Sequence, residues 1–504
     1  MVCLCSWFVW STILIPAAAA ALILFHRRKS RPPGPPGWPI FGNIFDLGSV
    51  PHRTLYNLRL KYGPVIWLKL GSMNTMVVQS AAAAAELFKN HDQAFCDRKC
   101  FVALTAHNYN QGSLGVCQFG PHWRLLRRLC TMELLGTKRI NETAHLRRKC
   151  VDNLIRNIEE DAAAARARGE TGEVNLAHSL FLMSFNLIGN LVLSRDLFSS
   201  SSKGGHDFFV AMNAFMECAV KPNLSDFLPF LKRLDPQGIM KNMEQHLGRA
   251  VNMVERFVEE RMEEYKSGRE NKKQDFLDVL LENGGDGKDK ISGHSLVILV
   301  LEMFFAGSET TSSVVEWAMT HLLCKPESMK RVKTEVLQVV GPNRKVEEKD
   351  MDELPYLQAV IKETLRLHPA IPLLIPRSCR EDTSYMGYQI PKDTAVFVNA
   401  WAIGRDPDCW EDPLCFKPER FLGSKIDYKG QNFELIPFGS GRRICVGMSL
   451  AQQEIQLALA SLLHCFDWEL GTNLSPESVD MSEWSGLAAR KFIPLKLIPK
   501  KRIM

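Results

Sequence analysis

The run SLVILVLEMFFAGSETTSSVVEWAMTHLL, from Ser295 to Leu323, is apolar on more than one side over a length that spans ~45 Å as a helix at about 1.5 Å per residue. Such a helix has no single face to give to water, so the rest of the chain must be wrapped around it. Ser292, just upstream, is a candidate N-cap. From about Pro121 to Met351 nearly every segment has helical periodicity, broken by polar loops such as SSSSKGGHD near Ser199 and ENGGDGKDK near Gly284. Ahead of that region, Lys61 to Ser80 reads as a β-hairpin and Ala81 to Asn90 as a helix. Strand-like pieces return at Tyr388 to Ile390, at Ala395 to Asn399 and near the C-terminus. The fold class is therefore mainly α with a minor β-sheet region, and no solenoid-length repeat divides it.

Met1 to Phe25 contains no charged residue, and Arg27, Arg28, Lys29 and Arg31 follow directly. A cleaved signal peptide carries its positive charge before a shorter apolar core, so residues 1–26 are expected to be one retained transmembrane helix with the rest of the chain in the cytosol. The segment RPPGPPGWPIFGN, from Arg31 to Asn43, is predicted to be stiff, because each proline fixes φ and removes a backbone donor. Residues 27–50 then form a basic, proline-rich hinge, and residues 51–504 one globular body. With 46% hydrophobic and 23% charged residues, the chain is too apolar for a disordered protein and too charged for a polytopic membrane protein. The net charge of +6 (62 basic, 56 acidic) is not gathered on a nucleic-acid-binding module, so no nucleic-acid partner is expected. Fourteen cysteines read as reduced thiols, and the lone C-x3-C of Cys96 and Cys100 lacks the second pair that a structural metal would need.

One cysteine stands apart. In PFGSGRRICVG, Phe438, Gly441, Arg443, Cys445 and Gly447 keep the spacing F-x2-G-x-R-x-C-x-G, an array expected by chance in about one chain in ten thousand. The helical run SLAQQEIQLALASLL follows it. A cysteine just before a helix is biased toward thiolate by the helix dipole and its free N–H groups, glycines let a tight loop approach a planar group, and an arginine can neutralise a carboxylate. Elsewhere, KETLRLHP sets Glu363 and Arg366 at i, i+3 on one helical face, and HWRLLRR sets Trp123 and Arg127 at i, i+4. In the middle of the long apolar run, Ala306 and Gly307 remove bulk beside the acid Glu309 and the hydroxyl of Thr310.

On these motifs the chain resembles the cytochrome P450 family, whose haem is held by a cysteine thiolate. The resemblance implies that fold, with the long central helix lying over haem b and Cys445 as the axial iron ligand. It places Phe438 and Gly439 beside the haem, Trp123, Arg127, Arg377 and Arg443 on its propionates, and Ala306 and Gly307 where the helix makes room for it. It gives Glu309 and Thr310 the delivery of protons during oxygen activation, and it joins Glu363, Arg366 and the Arg420 of FKPERF in a structural ion-pair network. The implied substrate pocket includes Leu104, Val116, Met303, Phe304, Ile371, Leu373, Leu374 and Leu487, an apolar set suited to an apolar substrate. The implied activity is a monooxygenase that takes O2 and draws electrons from an NADPH-cytochrome P450 reductase, since the chain carries no dinucleotide-binding glycine fingerprint. Arg124, Arg128, Lys138, Arg139 and Arg442 are a candidate docking face for that partner. The anchor, hinge and cysteine loop are most similar to plant microsomal members in the branch with geraniol hydroxylases and iridoid oxidases. This implies the endoplasmic reticulum membrane and a terpenoid substrate. A phenolic or flavonoid hydroxylase is the alternative within the family. A haem-binding sensor or carrier is the non-enzyme alternative, against which the intact Glu309 and Thr310 argue.

Overall fold

A computed structural model describes residues 31–198, 203–267, 275–285, 287, 290–471, 474–485 and 488–502. The expected anchor, residues 1–26, lies outside the described residues. The principal helices are α1 (Pro51–Tyr62), α2 (Ala81–Lys89), α3 (Pro121–Leu129), α4 (Ala144–Ala167), α5 (Leu176–Leu193), α6 (Lys203–Val220), α7 (Ile239–Lys266), α8 (Gly293–Cys324), α9 (Pro326–Val340), α10 (Pro355–Leu367) and α11 (Met448–Cys465). Their starts follow local chemistry. Ser80, Asn175 and Ser292 each accept a backbone N–H of the first turn of α2, α5 and α8, and prolines open α1, α3, α9 and α10, where no N–H is needed.

The expected long helix is α8, and it is the centre of the protein. It packs against α5, α7, α10 and α11, and almost every residue from Ser295 to Leu323 is buried. Both α5 and α8 are long and apolar enough to cross a membrane, but most of each lies inside the protein, which makes them core helices here. Burial extends to acids. On α11, Glu454 is 2% exposed and one of its carboxyl oxygens has no hydrogen-bond partner, so burial pushes this carboxyl up to about 7. Between the ordinary glutamate value of 4.5 and about 7 the folded chain holds a proton that the unfolded chain releases, so stability falls as pH rises through that window. Glu454→Gln is expected to remove a pH-dependent loss of up to about 3 kcal/mol, at ~1.4 kcal/mol per unit. Denaturation midpoints at pH 5 and pH 8 check this: an equal pH-dependence in both proteins would overturn it.

A five-stranded sheet flanks the helices. Its strands are β1 (Val65–Leu70), β2 (Met73–Val78), β3 (Asp97–Arg98), β4 (Arg377–Ser378) and β5 (Ala395–Val398), in the spatial order β1-β2-β5-β4-β3. The β1–β2 hairpin is antiparallel with Val65 opposite Val78, β5 joins β2 in parallel, and β4 pairs antiparallel with both β5 and β3. The β3–β4 pairing sets Arg98 directly opposite Arg377, which matters for the site below.

The proline-rich segment, expected to be a stiff hinge, is docked on the sheet. Residues 33–43 lie along the outer edge of β1: Trp67 N–H donates to Pro33 O at 2.8 Å, Asn43 N–H donates to Lys69 O at 2.6 Å, and Gly42 bridges to Leu70. Prolines cannot donate, but their carbonyls can still accept from a sheet edge. Gly42, at φ +61°, passes so close to Lys69 O that any side chain would collide with it. Phe41 O takes the N–H of Gly71 while Phe227 O takes that of Ser72, so the segments around both phenylalanines meet at the β1–β2 turn. Around this meeting point Trp38, Ile40, Phe45, Phe230 and Leu234 are each more than 60% exposed.

Candidate active site

The cysteine loop is held from three directions. Gly439 and Gly441 have φ of +72° and +70°, the left-handed conformation that glycine adopts without a Cβ penalty, and a side chain at Gly441 would strike the carboxylate of Asp92. That carboxylate accepts from Arg377 at 3.0 Å and from both the side chain and the N–H of Arg442 at 2.8 and 3.0 Å. Cys445 N–H donates to Phe438 O at 3.0 Å, while the half-buried Phe438 ring rests on Tyr428. Cys445 therefore stands at the entrance of α11, where the backbone N–H groups of Gly447 and Met448 favour the anionic form of its sulfur. The sulfur is accessible although protein surrounds it, so it faces space inside the molecule. Burial pushes the thiol up, whereas those N–H groups and Arg127 favour thiolate.

Near the loop lies a set of guanidiniums short of counter-charge. Arg443 donates to Cys96 O, Leu114 O and Cys117 O at 2.9, 3.3 and 2.6 Å and stacks on Trp123 with its carbon 4.5 Å from the ring centroid. Arg98 donates to Gly115 O at 2.9 Å and Ile375 O at 2.6 Å. Arg127 donates to Ile444 O at 2.6 Å, and Trp123 Nε1 to Leu114 O at 3.2 Å. Among the described residues none of Arg98, Arg127 or Arg443 has a carboxylate within ion-pair distance. Only Arg377 does, through Asp92, and it also donates to Ser440 O. Burial lowers the pKa of Arg98 most strongly, and repulsion from Arg377 and Arg443 lowers it further. Buried like charges that meet only carbonyl oxygens are costly without an anion, so the cluster fits a ligand bearing carboxylates. Trp123, Arg127, Arg377 and Arg443 were expected here. Arg98 was not: a two-residue strand has no periodicity to betray it, and only its pairing with β4 brings it in.

The middle of α8 divides the small pair that the sequence groups together. Ala306 is exposed although Phe304 and Ser308 beside it are buried, so the helix opens onto interior space at that residue. Gly307 faces the other way: a Cβ there would lie 2.6 Å from Ile188 Cδ1, so its missing side chain serves the close packing of α8 on α5. Thr310, one turn after Ala306 and on the same face, donates its hydroxyl to Ala306 O at 2.7 Å. Glu309 is 8% exposed, and its only ion pair among the described residues is with Arg490, at 3.8 Å. Burial raises the Glu309 carboxyl, which Arg490 opposes.

Phe304 does not line the expected pocket. It is fully buried between Phe185 and Phe208, with ring centroids 5.2 Å from each. The helical period explains this, since two residues before Ala306 is some 200° around the axis. Its neighbour Phe305 is half-buried against Tyr109 and Phe215 instead. Leu104 and Met303 are buried, and Val116, Ile371, Leu373 and Leu374 half-buried; Leu487 lies outside the described residues. Of the candidate docking residues, Arg442 pairs with Asp92 while Lys138 and Arg139 share Glu142, which leaves less free charge on this face than the sequence suggests.

Glu363 and Arg366 are both fully buried and joined by two hydrogen bonds of 2.7 Å, and Arg420 reaches the same carboxylate at 3.1 Å. Arg366 also donates to the carbonyls of Gly404, Pro413 and Cys415, so all five of its N–H donors are used.

A cysteine sulfur at a helix entrance, carboxylate-seeking guanidiniums and a gap beside Ala306 together fit a flat, dianionic metallo-cofactor held through sulfur. Comparison with known proteins agrees. The family described as Cytochrome P450 matches residues 32–493. The chain is 59% identical to an iridoid oxidase of Catharanthus roseus, over 98% of this chain and 97% of that one. It is 40% identical to a geraniol 8-hydroxylase of the same plant, over 94% and 95%. A solved structure described as a zebra fish cytochrome P450 with progesterone superposes with a TM-score of 0.77 at 26% identity, covering 89% of this chain and 99% of that one. Since the match runs through the cysteine loop, the paired arginine strands and the middle of α8 alike, the chain belongs to the cytochrome P450 family.

Proposed function

We propose that this cytochrome P450 monooxygenase hydroxylates a terpenoid, with electrons supplied by an NADPH-dependent reductase. The observation that carries the substrate class is the 59% identity, nearly end to end, with a protein named as an iridoid oxidase, supported by the likeness to a geraniol 8-hydroxylase. The family's cofactor, haem b, supplies when bound the thiolate-ligated iron at which O2 is activated. Cys445 donates the sulfur, and Arg98, Arg127, Arg377 and Arg443, with Trp123, hold the propionate carboxylates. Leu104, Val116, Met303, Phe305, Ile371, Leu373 and Leu374 exclude water and orient an apolar skeleton by shape. The Thr310 hydroxyl holds a proton at the edge of the gap that Ala306 leaves, and Glu309 replenishes it from the side of Arg490.

The test compares terpenoid alcohols with simple phenolics in a reductase-reconstituted system. Binding spectra and product should appear with the terpenoids. Thr310→Ala should keep both haem and binding spectra while the ratio of product to NADPH consumed falls several-fold and peroxide rises. Turnover of phenolics alone would overturn the substrate class, and an unchanged ratio would remove Thr310 from its role.

The chain is proposed to be held on the endoplasmic reticulum membrane by residues 1–26 and by the apolar cluster of Trp38, Ile40, Phe45, Phe230 and Leu234, flanked by Lys232 and Arg233. A protein lacking residues 1–30 should still bind lipid vesicles, and Trp38→Ser with Phe230→Ser should weaken that binding at least about fivefold. Vesicle binding that is indifferent to those substitutions would exclude the cluster.

A further inference from the structure

Glu302 sits one turn before Ala306 on α8, is 5% exposed, and has no part in the chemistry above. Its two oxygens are taken up by one loop: Oε1 accepts from Ser113 Oγ at 2.7 Å and Gly115 N–H at 2.9 Å, and Oε2 accepts from Leu114 N–H at 2.6 Å. Gly115 lies so near that a Cβ there would come within 2.7 Å of Oε1. The carbonyls of the same loop serve the cationic cluster. Leu114 O takes Trp123 Nε1 and one Arg443 donor, and Gly115 O takes Arg98 Nε. The loop is thus two-sided, with its N–H groups on the central helix and its carbonyls on the guanidiniums. Hydrogen bonds from neutral donors to a buried carboxylate exceed those to a neutral acceptor, so the charge of Glu302 matters to how firmly the loop is held.

We propose that Glu302 is a positioning residue: by clamping Ser113–Gly115 to α8 it sets the carbonyls that aim Arg98, Arg443 and Trp123 at the cofactor carboxylates. The second half of this statement rests on the propionate reading above, and the first does not. The clamp acts through backbone geometry and should be visible in the holoenzyme without any turnover.

The experiment is amide hydrogen exchange on the holoenzyme, together with the rate at which haem passes to an excess of a haem-free acceptor protein, in Glu302→Gln, Ser113→Ala and Arg98→Gln. The first variant keeps the shape of Glu302 but removes its charge. Exchange at Leu114 and Gly115 should quicken about tenfold, and haem loss severalfold. Ser113→Ala removes one of the three bonds and should give a smaller change in the same direction, which keeps the test open should Glu302→Gln fail to fold. Unchanged exchange at both amides in whichever of these variants folds would overturn the clamp. Arg98→Gln should hasten haem loss while leaving those amides protected. Faster exchange in Glu302→Gln without faster haem loss in either it or Arg98→Gln would leave the clamp standing and overturn the aiming of the arginines.

Discussion

Cys445→Ser is expected to abolish the absorbance band of the reduced carbon monoxide complex that marks thiolate-ligated haem in this family. A hydroxyl stays neutral at pH 7 and cannot replace an anionic sulfur donor. The surrounding fold should persist. Gly439 and Gly441 keep their left-handed turns, Asp92 keeps its arginines, and the N–H groups of Gly447 and Met448 find an oxygen instead of a sulfur. The expected product is a folded protein with reduced haem content and no thiolate signature, scored by the carbon monoxide difference spectrum beside far-ultraviolet circular dichroism. A variant that retained the band would show that another residue ligates the iron.

The largest loss of stability should come from Glu363→Ala. It removes the carboxylate between Arg366, which is completely buried, and Arg420, and it strips Lys417 N–H of an acceptor at 2.7 Å. Breaking a buried pair by deleting one partner costs about 3–5 kcal/mol, because the remaining charge is stranded rather than returned to water. Against a total stability of roughly 5–15 kcal/mol, that removes much of what holds the chain folded. Arg420 is 11% exposed at its side chain and can turn toward solvent, so Arg420→Ala should cost less, about 1–3 kcal/mol. Because Arg366 also gathers the carbonyls of Gly404, Pro413 and Cys415, loosening it disturbs the stretch that leads into the cysteine loop. The expected readout is a sharp fall in recoverable holoprotein for Glu363→Ala, with an intermediate fall for Arg420→Ala. Holoprotein yields and denaturation midpoints equal to the parent's would mean that the network is dispensable.

What could be read in advance was whatever spacing along one element decides. Ala306 and Thr310 share a face of α8 because they are four residues apart, Glu363 and Arg366 meet because they are three apart, and the turn residues of the cysteine loop declare themselves by type. The same helical arithmetic, applied to Phe304, would have turned it away from Ala306. It was grouped with the pocket by resemblance, and the structure packs it with Phe185 and Phe208. Gly307 illustrates the opposite limit, since a glycine in a helix announces a close approach but not which neighbour approaches, and here the neighbour is Ile188.

By itself, then, the sequence determined the central helix, the mixed α-rich class, the cysteine loop and the ion-paired helix, because each depends on residues close together in the chain. Tertiary structure alone decided the rest. The pairing of β3 with β4 brings Arg98 to face Arg377, 279 positions further along the chain, and the hydrogen bonds of Glu302 reach back some 190 residues to Ser113. The proline segment's docking on β1 likewise depends on an edge that does not exist until the sheet forms. Such contacts link groups whose partners have no fixed offset in sequence, and only the closed fold, in which buried charges and backbone groups must find each other or go unpaired, selects them.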